Sequence, residues 1–219
     1  MKTFLKRAKT LFGMIAQGKL IESYHLLRTK IYSNKKSLVL RRDLKEEFID
    51  PVAKIDLKIR LQEEKDLSHF IDLPEDDLLI KQNILNCYVA TTNDDVPCYR
   101  QWLMHSSQNS KIKSFFGKNL PLPNENEAIL ERAYTIPSFR GLYVMPAAMS
   151  KIALKGNELG VRWIITCVGI DNIPSLKGCK RSGFFPYKLR VEKWRLFKQE
   201  VTTFNEIPEK LLKKTAVFD

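Results

Sequence analysis

The sequence predicts a mixed α/β fold, of the α+β kind, carried on one sizeable domain with a basic helical arm in front of it. Three observations lead there. Short runs alternate apolar and polar residues with period two, as half-buried strands do. Between them lie runs with helical spacing and helix-start chemistry. Positive charge is also concentrated at one end of the chain. Of 219 residues, 44% are hydrophobic and 28% charged, which excludes wholesale disorder. The formal net charge is +12. Residues 1–42 hold eleven Lys and Arg against one acid, Glu22, for +10, while residues 43–219 hold 26 basic and 24 acidic residues, for +2. The expected division is therefore an arm over 1–42 and a main domain over 43–219.

In the arm, Phe4, Leu5, Ala8, Leu11, Phe12 and Ile15 recur at helical spacing, with Lys2, Lys6 and Lys9 largely off that stripe. Gly18 interrupts, and Leu20, Tyr24, Leu27 and Ile31 form a second stripe. Two short amphipathic helices, or one broken helix, are expected. The stretch Thr10–Gly18 is too short for a convincing signal peptide and no small-residue cleavage motif follows it. Three uses remain open for the arm: packing on the main domain, contact with an anionic membrane surface, and contact with nucleic acid. No aromatic-rich stacking strand or zinc finger supports the last.

In the main domain, Leu38-Val39-Leu40 reads as a short strand. Ile55, Leu57, Ile59 and Leu61 alternate with charged or polar residues, predicting a half-buried strand. Glu63–Ile71 predicts a short helix. Pro74-Glu75-Asp76-Asp77 opens another through about Leu85, with its acids at the N-terminus. Cys87–Thr92 and Val96–Met104 predict a hairpin across Asn93-Asp94-Asp95. Residues 106–126, rich in Lys, Asn and Pro, read as a polar loop. Then come a strand at Ala128–Ile136, a helix at Pro146–Leu159, a strand at Arg162–Ile170, a helix at Ser175–Ser182 and a long strand at Tyr187–Phe197. Val201–Phe204 is expected to pair near that last strand.

The strand–loop–helix–strand unit at 128–170 carries the chemistry. A strand that turns directly into a helix leaves backbone N–H groups pointing out of the turn, and the helix dipole adds to their pull on a phosphate. Pro146 suits a first helical turn, and Arg140 can add a charge-assisted bond. Further on, Asn172 and Ser175 have turn and capping character, and Gly183 suits a left-handed helix stop.

Taken together, Leu130-Glu131-Arg132-Ala133-Tyr134-Thr135-Ile136-Pro137-Ser138-Phe139-Arg140-Gly141, then Asn172-x-x-Ser175 and Ser182-Gly183-Phe184, resemble the GNAT N-acetyltransferase superfamily. The likeness covers about residues 55–197. The resemblance implies a mostly antiparallel central sheet with helices on both faces, splayed between its fourth and fifth strands, here 128–136 and 162–170. It implies acetyl transfer from acetyl-CoA, as co-substrate and without a metal, to an amine acceptor. Two positions depart from the family loop: Tyr143 and Met145 stand where two glycines belong. Members associated with polysaccharide biosynthesis have a continuation similar to Met145-Pro146-Ala147, and such members often begin with a basic segment. A subfamily variant and a lost cofactor site are both open.

By matched position, the resemblance puts the pantetheine arm along Ala133, Tyr134 and Thr135. It puts the diphosphate over Arg140, Gly141, Leu142, Tyr143, Val144, Met145 and Pro146, with Asn172 and Ser175 nearby. Glu131 is the candidate base, or a solvent-facing strand carboxylate beside Arg132. Cys179 takes the place of the family's tyrosine proton donor, or is a small buried hydrophobe. His105 is a lesser candidate base, and Trp102, Trp163 and Trp194 read as core.

The longest uncharged run, Gln82–Asn93, is too short to cross a membrane. Four cysteines without C-x-x-C pairing and three scattered histidines give no zinc spacing and no disulfide scaffold. A reducing, cytoplasmic setting is expected, with the arm at the inner face of a membrane as its peripheral option. Two functional classes stay open: an N-acetyltransferase acting on a small or membrane-linked amine such as an amino sugar, and a non-catalytic module of the same shape that binds a membrane, nucleic acid or protein through the arm.

Overall fold

The computed structural model describes residues 24, 28, 31–70, 74–196, 198–209, 211 and 217–218. The chain divides into two compact units, Ser37–Leu189 with Asn205–Asp219, and Met1–Lys36 with Arg190–Phe204.

In the larger unit the strands are β1 (Tyr32–Asp43, from Ser37 on), β2 (Lys58–Leu61), β3 (Cys87–Thr91), β4 (Pro97–His105), β5 (Glu127–Thr135), β6 (Trp163–Gly169) and the start of β7 (Phe185–Arg195). Their order is β2-β3-β4-β5-β6-β1-β7. The described ladders from β2 to β5 are antiparallel, β5 and β6 are parallel, and β1 runs antiparallel to β6. The sheet is thus open, mixed and mostly antiparallel, as expected. Its splayed pair is β5 and β6, one later than the count implied by the resemblance.

The α-helices are α1 (Pro74–Lys81), α2 (Asn109–Phe116), α3 (Val144–Leu154) and α4 (Ile173–Arg181). Short 3-10 helices lie at Glu64–Phe70, Ser106–Gln108, Pro137–Phe139 and Lys155–Leu159. The expected loop over 106–126 therefore holds a helix. Ile112, Phe115 and Phe116 have i, i+3, i+4 spacing, and Ile112 is fully buried. Apolar burial of that face outweighs the Asn/Lys composition around it. The expected strand at 55–61 is paired only over Lys58–Leu61. Upstream, the backbone is a strap: Lys54 N–H donates to Leu142 O at 2.9 Å, and Lys151 Nζ donates to Leu57 O at 3.0 Å.

α3 is buried almost all round, because Ala147, Ala148 and Ala153 let it sit close on β4 and β5. Leu38, Leu40, Leu103, Leu130 and Ile164, all fully buried, form the core of the sheet. Arg42, 4% exposed, donates to Ser150 Oγ on α3, to Asp50 Oδ1 at 3.2 Å and to Ser182 O at 3.0 Å. A cation there complements the C-terminal end of α4. Residues 37–42, which the charge split groups with the arm, lie in the second half of β1 and include some of this core.

In the smaller unit, β8 (Lys198–Asn205) neighbours the end of β7. Leu196, with φ 45°, donates its N–H to Ile31 O at 2.9 Å. Of the two helices expected in the arm, Tyr24, Arg28 and Ile31 are described and are helical; the rest lies outside the described residues. Among the described residues, no helix is long and apolar enough to cross a membrane.

Candidate active site

The site grows out of one irregularity. Opposite β4, Arg100 pairs with Tyr134 and Trp102 with Glu131, so one residue of β4 faces Arg132 and Ala133 of β5. That is a β-bulge, and Arg132 sits in the left-handed region at φ 59°. Pairing between β5 and β6 runs only from Glu127↔Trp163 to Ile129↔Ile165, ending just before the bulge. Beyond it the two strands part. Ile136 N–H donates to Cys98 O at 3.0 Å, toward β4. Strand alternation then turns the backbone groups of Thr135 away from β4, into the opened side. Thr135 O accepts from Arg140 Nε at 3.2 Å there.

The opening leads to a cleft of about 850 Å³. Of the predicted cofactor residues, Ala133, Tyr134, Thr135, Arg140, Gly141, Tyr143, Val144, Met145, Pro146, Asn172 and Ser175 all line it. Leu142 does not; its carbonyl is held by the strap at Lys54. The floor is the N-terminus of α3. Its first closing bond is Ala147 N–H to Tyr143 O at 3.3 Å, so the N–H groups of Val144 and Met145 precede the ladder, and Pro146 has none to spare.

Tyr143 caps α3 in the left-handed conformation, φ 59° and ψ 20°. A tyrosine thus holds the backbone shape that a glycine would adopt most easily. Its ring has the Arg181 guanidinium 5.0 Å from its centre and the Lys54 ammonium at 6.0 Å. Met145 turns toward α4 instead of the loop. A Cβ built at Gly178 would meet Met145 Sδ at 2.3 Å, so the glycine gives this side chain its room. Asn172 caps α4, its Oδ1 accepting from Ser175 N–H at 3.2 Å. Gly183, at φ 80°, ends the α4 segment as the sequence suggests.

A smaller chamber of about 220 Å³ shares Ala133, Met145, Asn172 and Ser175 with the cleft. Glu131 and Cys179, the two candidate catalytic residues, both line it. Glu131 Oε1 accepts the Cys167 N–H at 3.3 Å, reaching across the parted strands. Cys179 is 1% exposed, with its sulfur 3.9 Å from Met149 Sδ. Burial first, and then the Glu131 carboxylate, push its thiol up to about 12. Ordinary thiols titrate near about 8.5, so giving this proton to a departing thiolate runs uphill. The residue fits the buried hydrophobe better than the donor.

His105 belongs elsewhere: its Nδ1 accepts from Ser107 N–H at 3.4 Å, capping a 3-10 turn. Trp102 and Trp194 are core, whereas Trp163 is half-buried with Arg41 stacked 3.8 Å from its ring centre. The sequence reading missed Lys177 and Arg181, which line the cleft. Their i, i+4 spacing after Asn172 puts both on one helix face and was the available signal. It also missed the bulge at Arg132, for which a non-glycine strand residue carries no signal. Among the described residues, no cluster of metal-ligating side chains occurs.

No family model and no curated protein matches the chain by sequence. Solved structures do match in shape. A GCN5-related N-acetyltransferase from Sphaerobacter thermophilus matches at TM-score 0.52 and 10% identity, over 83% of this chain and 58% of that one. A GNAT-family acetyltransferase from Colwellia psychrerythraea matches at 0.51 and 13%, over 74% and 56%. A fungal GCN5-related glucosamine N-acetyltransferase region, within a multi-domain β-N-acetylglucosaminidase, matches at 0.53 and 11%, over 81% and 23%. The chain therefore has the GNAT N-acetyltransferase fold. It spans less than two thirds of the length of each of these neighbours.

Proposed function

We propose that the chain is an acyl-CoA N-acyltransferase, moving an acetyl group from acetyl-CoA to an amine by direct attack in a ternary complex. The observation that carries this is the parted β5–β6 seam, which ends on an α3 N-terminus whose cap, Tyr143, keeps a left-handed backbone. The donor set fits the group. Main-chain N–H groups at the start of α3, with Arg140, Lys177 and Arg181, suit phosphate oxygens. The Thr135 N–H, turned away from β4, suits a carbonyl of a pantetheine arm, and the Asn172 amide N–H₂ remains for it once Oδ1 is used in the cap.

Acetyl-CoA supplies the activated acetyl group as a thioester. The chain's own residues then have two tasks: holding the thioester carbonyl beside the amine and moving protons. The amine nitrogen bonds to the acyl carbon as the carbon–sulfur bond breaks. The amine gives up one proton and the sulfur gains one. Glu131, held by the Cys167 N–H and facing the chamber, is the group we assign to receive the amine proton, directly or through a water. Cys179 serves as wall rather than acid.

An amino sugar is the acceptor we favour, supported by the fold likeness to the fungal glucosamine N-acetyltransferase region. The test is calorimetry with acetyl-CoA, followed by thiol release over a panel of amines that includes glucosamine. Bound ligand at 100 times its dissociation constant should add about 2.7 kcal/mol to stability. No binding of CoA or acetyl-CoA at millimolar concentration would reject the enzyme and leave a binding module of this shape.

A further inference from the structure

Residues 47–57 carry neither helix nor strand, yet they are fastened along their length. Phe48 lies against Gly183, where an added Cβ would meet its ring at 3.1 Å. Asp50 Oδ1 accepts from Arg42 Nη2 at 3.2 Å and from Ser150 Oγ on α3. Lys54 N–H donates to Leu142 O at 2.9 Å. Leu57 O accepts from Lys151 Nζ, also on α3, at 3.0 Å. Between these points two apolar side chains face water: Ile49 is 94% exposed and Val52 84%. Apolar burial has no direction, so the directed bonds fix where this strap lies.

The Lys54 bond falls on the strained point of the cleft floor. Tyr143, next after Leu142, has φ 59° and ψ 20°. A tyrosine disfavours that conformation, and a strained residue persists only where its surroundings over-determine it. Here the peptide groups on both sides of it are tied. The Leu142 carbonyl, in the peptide entering Tyr143, accepts from Lys54. The Tyr143 carbonyl, in the peptide leaving it, accepts from Ala147 N–H at 3.3 Å. The second bond is the first of α3's own ladder. The first comes from a distant part of the chain, which is itself fixed to α3 on either side of Lys54, at Asp50 and Leu57.

On the reading that the cleft takes acetyl-CoA, we propose that the strap is a clamp on its phosphate-facing turn. Lys54 is a positioning residue: its main-chain N–H holds the Leu142 carbonyl, and through it keeps Tyr143 left-handed before ligand arrives. Asp50 anchors the strap that brings Lys54 there. The clamp supplies from outside the turn what a glycine would supply from within it.

The experiment compares Lys54→Pro with Lys54→Ala in the whole chain. Both lose the ammonium, and only the proline loses the N–H. Hydrogen exchange without ligand comes first. The Ala147 amide should exchange about fivefold faster in Lys54→Pro than in Lys54→Ala, with the amides in the middle of α3 unchanged. Calorimetry with acetyl-CoA should show a matching loss of about fivefold between the two. Adding Tyr143→Gly to each should close that gap to within about twofold, because a glycine needs no clamp. If Lys54→Pro does not fold, Asp50→Asn is read against the unmodified chain and should move exchange and affinity the same way. Equal exchange and affinity in the Lys54 pair, or a gap that survives Tyr143→Gly, overturns the clamp, as does an unaltered Asp50→Asn where that variant stands in. Absence of CoA binding in the unmodified chain would sink the proposed function instead, and the exchange comparison would still decide the clamp.

Discussion

Along the seam between β5 and β6, the first three residue pairs and the positions after them behave oppositely. Glu127–Ile129 lie in register against Trp163–Ile165, with Ala128, Ile129, Ile164 and Ile165 at 3% exposure or less. From Glu131 onward the strands have separated, and a carboxylate spans the gap to the Cys167 N–H. Both halves belong to the same two strands, so strand propensity does not separate them. What distinguishes the second half is the bulge, where Arg132, left-handed, shares with Ala133 the place of one residue on β4. The paired half makes the fold, and the parted half makes the cleft.

The sharpest way to break that comparison is the same substitution on each half. Ile129→Pro removes an N–H from a strand paired on both sides, together with a fully buried side chain. It should cost about 3 kcal/mol or more from the backbone alone and leave little folded protein, as circular dichroism melts would show. Thr135→Pro removes an N–H that points away from β4. The melt should barely change, while CoA affinity in calorimetry drops about tenfold, the worth of one ligand hydrogen bond. Equal damage from both substitutions would mean that the seam is not functionally divided.

Glu131 is next. Glu131→Gln keeps an acceptor for the Cys167 N–H but removes the base. Turnover should fall about 100-fold or more in a fold of unchanged stability, with acetyl-CoA binding preserved. Near-normal turnover in E131Q would reduce Glu131 to a strut.

A smaller effect is expected at Gly178→Ala, where the added Cβ meets Met145 Sδ. Met145 is a flexible chain and can give way, toward the cleft. The Michaelis constant for acetyl-CoA should rise about threefold to tenfold, consistent with one imperfect contact of about 1 kcal/mol. An unchanged constant would place Met145 outside the bound ligand's path.

Least is expected from Tyr143→Gly. The backbone already has the conformation that glycine prefers, so relief of about 1 kcal/mol of left-handed strain offsets the loss of the ring's contacts with Arg181 and Lys54. Acetyl-CoA affinity should stay within about threefold. A larger loss would show that the ring itself touches the ligand.

Much of this was legible beforehand. Apart from α2, the strands and longer helices from 87 to 195 fall within a few residues of their expected places. All but one of the predicted cofactor residues gather round one cleft. They were legible because local chemistry encodes them: Asn172 is a cap, Pro146 a first-turn residue and Gly183 a stop. Cys179 was ambiguous as a thiol on a helix and became clear only with its burial. α2 carried its signal in Ile112, Phe115 and Phe116, but composition spoke against it.

The sequence by itself determined most of the strand and helix faces and which turns start helices, because apolar period and capping act within a few residues. The alternation at 55–61 shows the limit of that. It marks burial at Ile55, Leu57 and Ile59, which are half-buried, but not at Leu61, which is exposed, and only the last four residues pair. Alternation records which way side chains point, and says nothing about what the backbone bonds to. The tertiary structure decided three further things. It placed β1 between β6 and β7, far from its neighbours in the chain. It put the bulge at Arg132 and so opened the seam. It set Met145 against Gly178, which lets a methionine stand where a glycine was expected. Each depends on contacts between residues distant along the chain, and packing of that range leaves no periodic trace in the sequence.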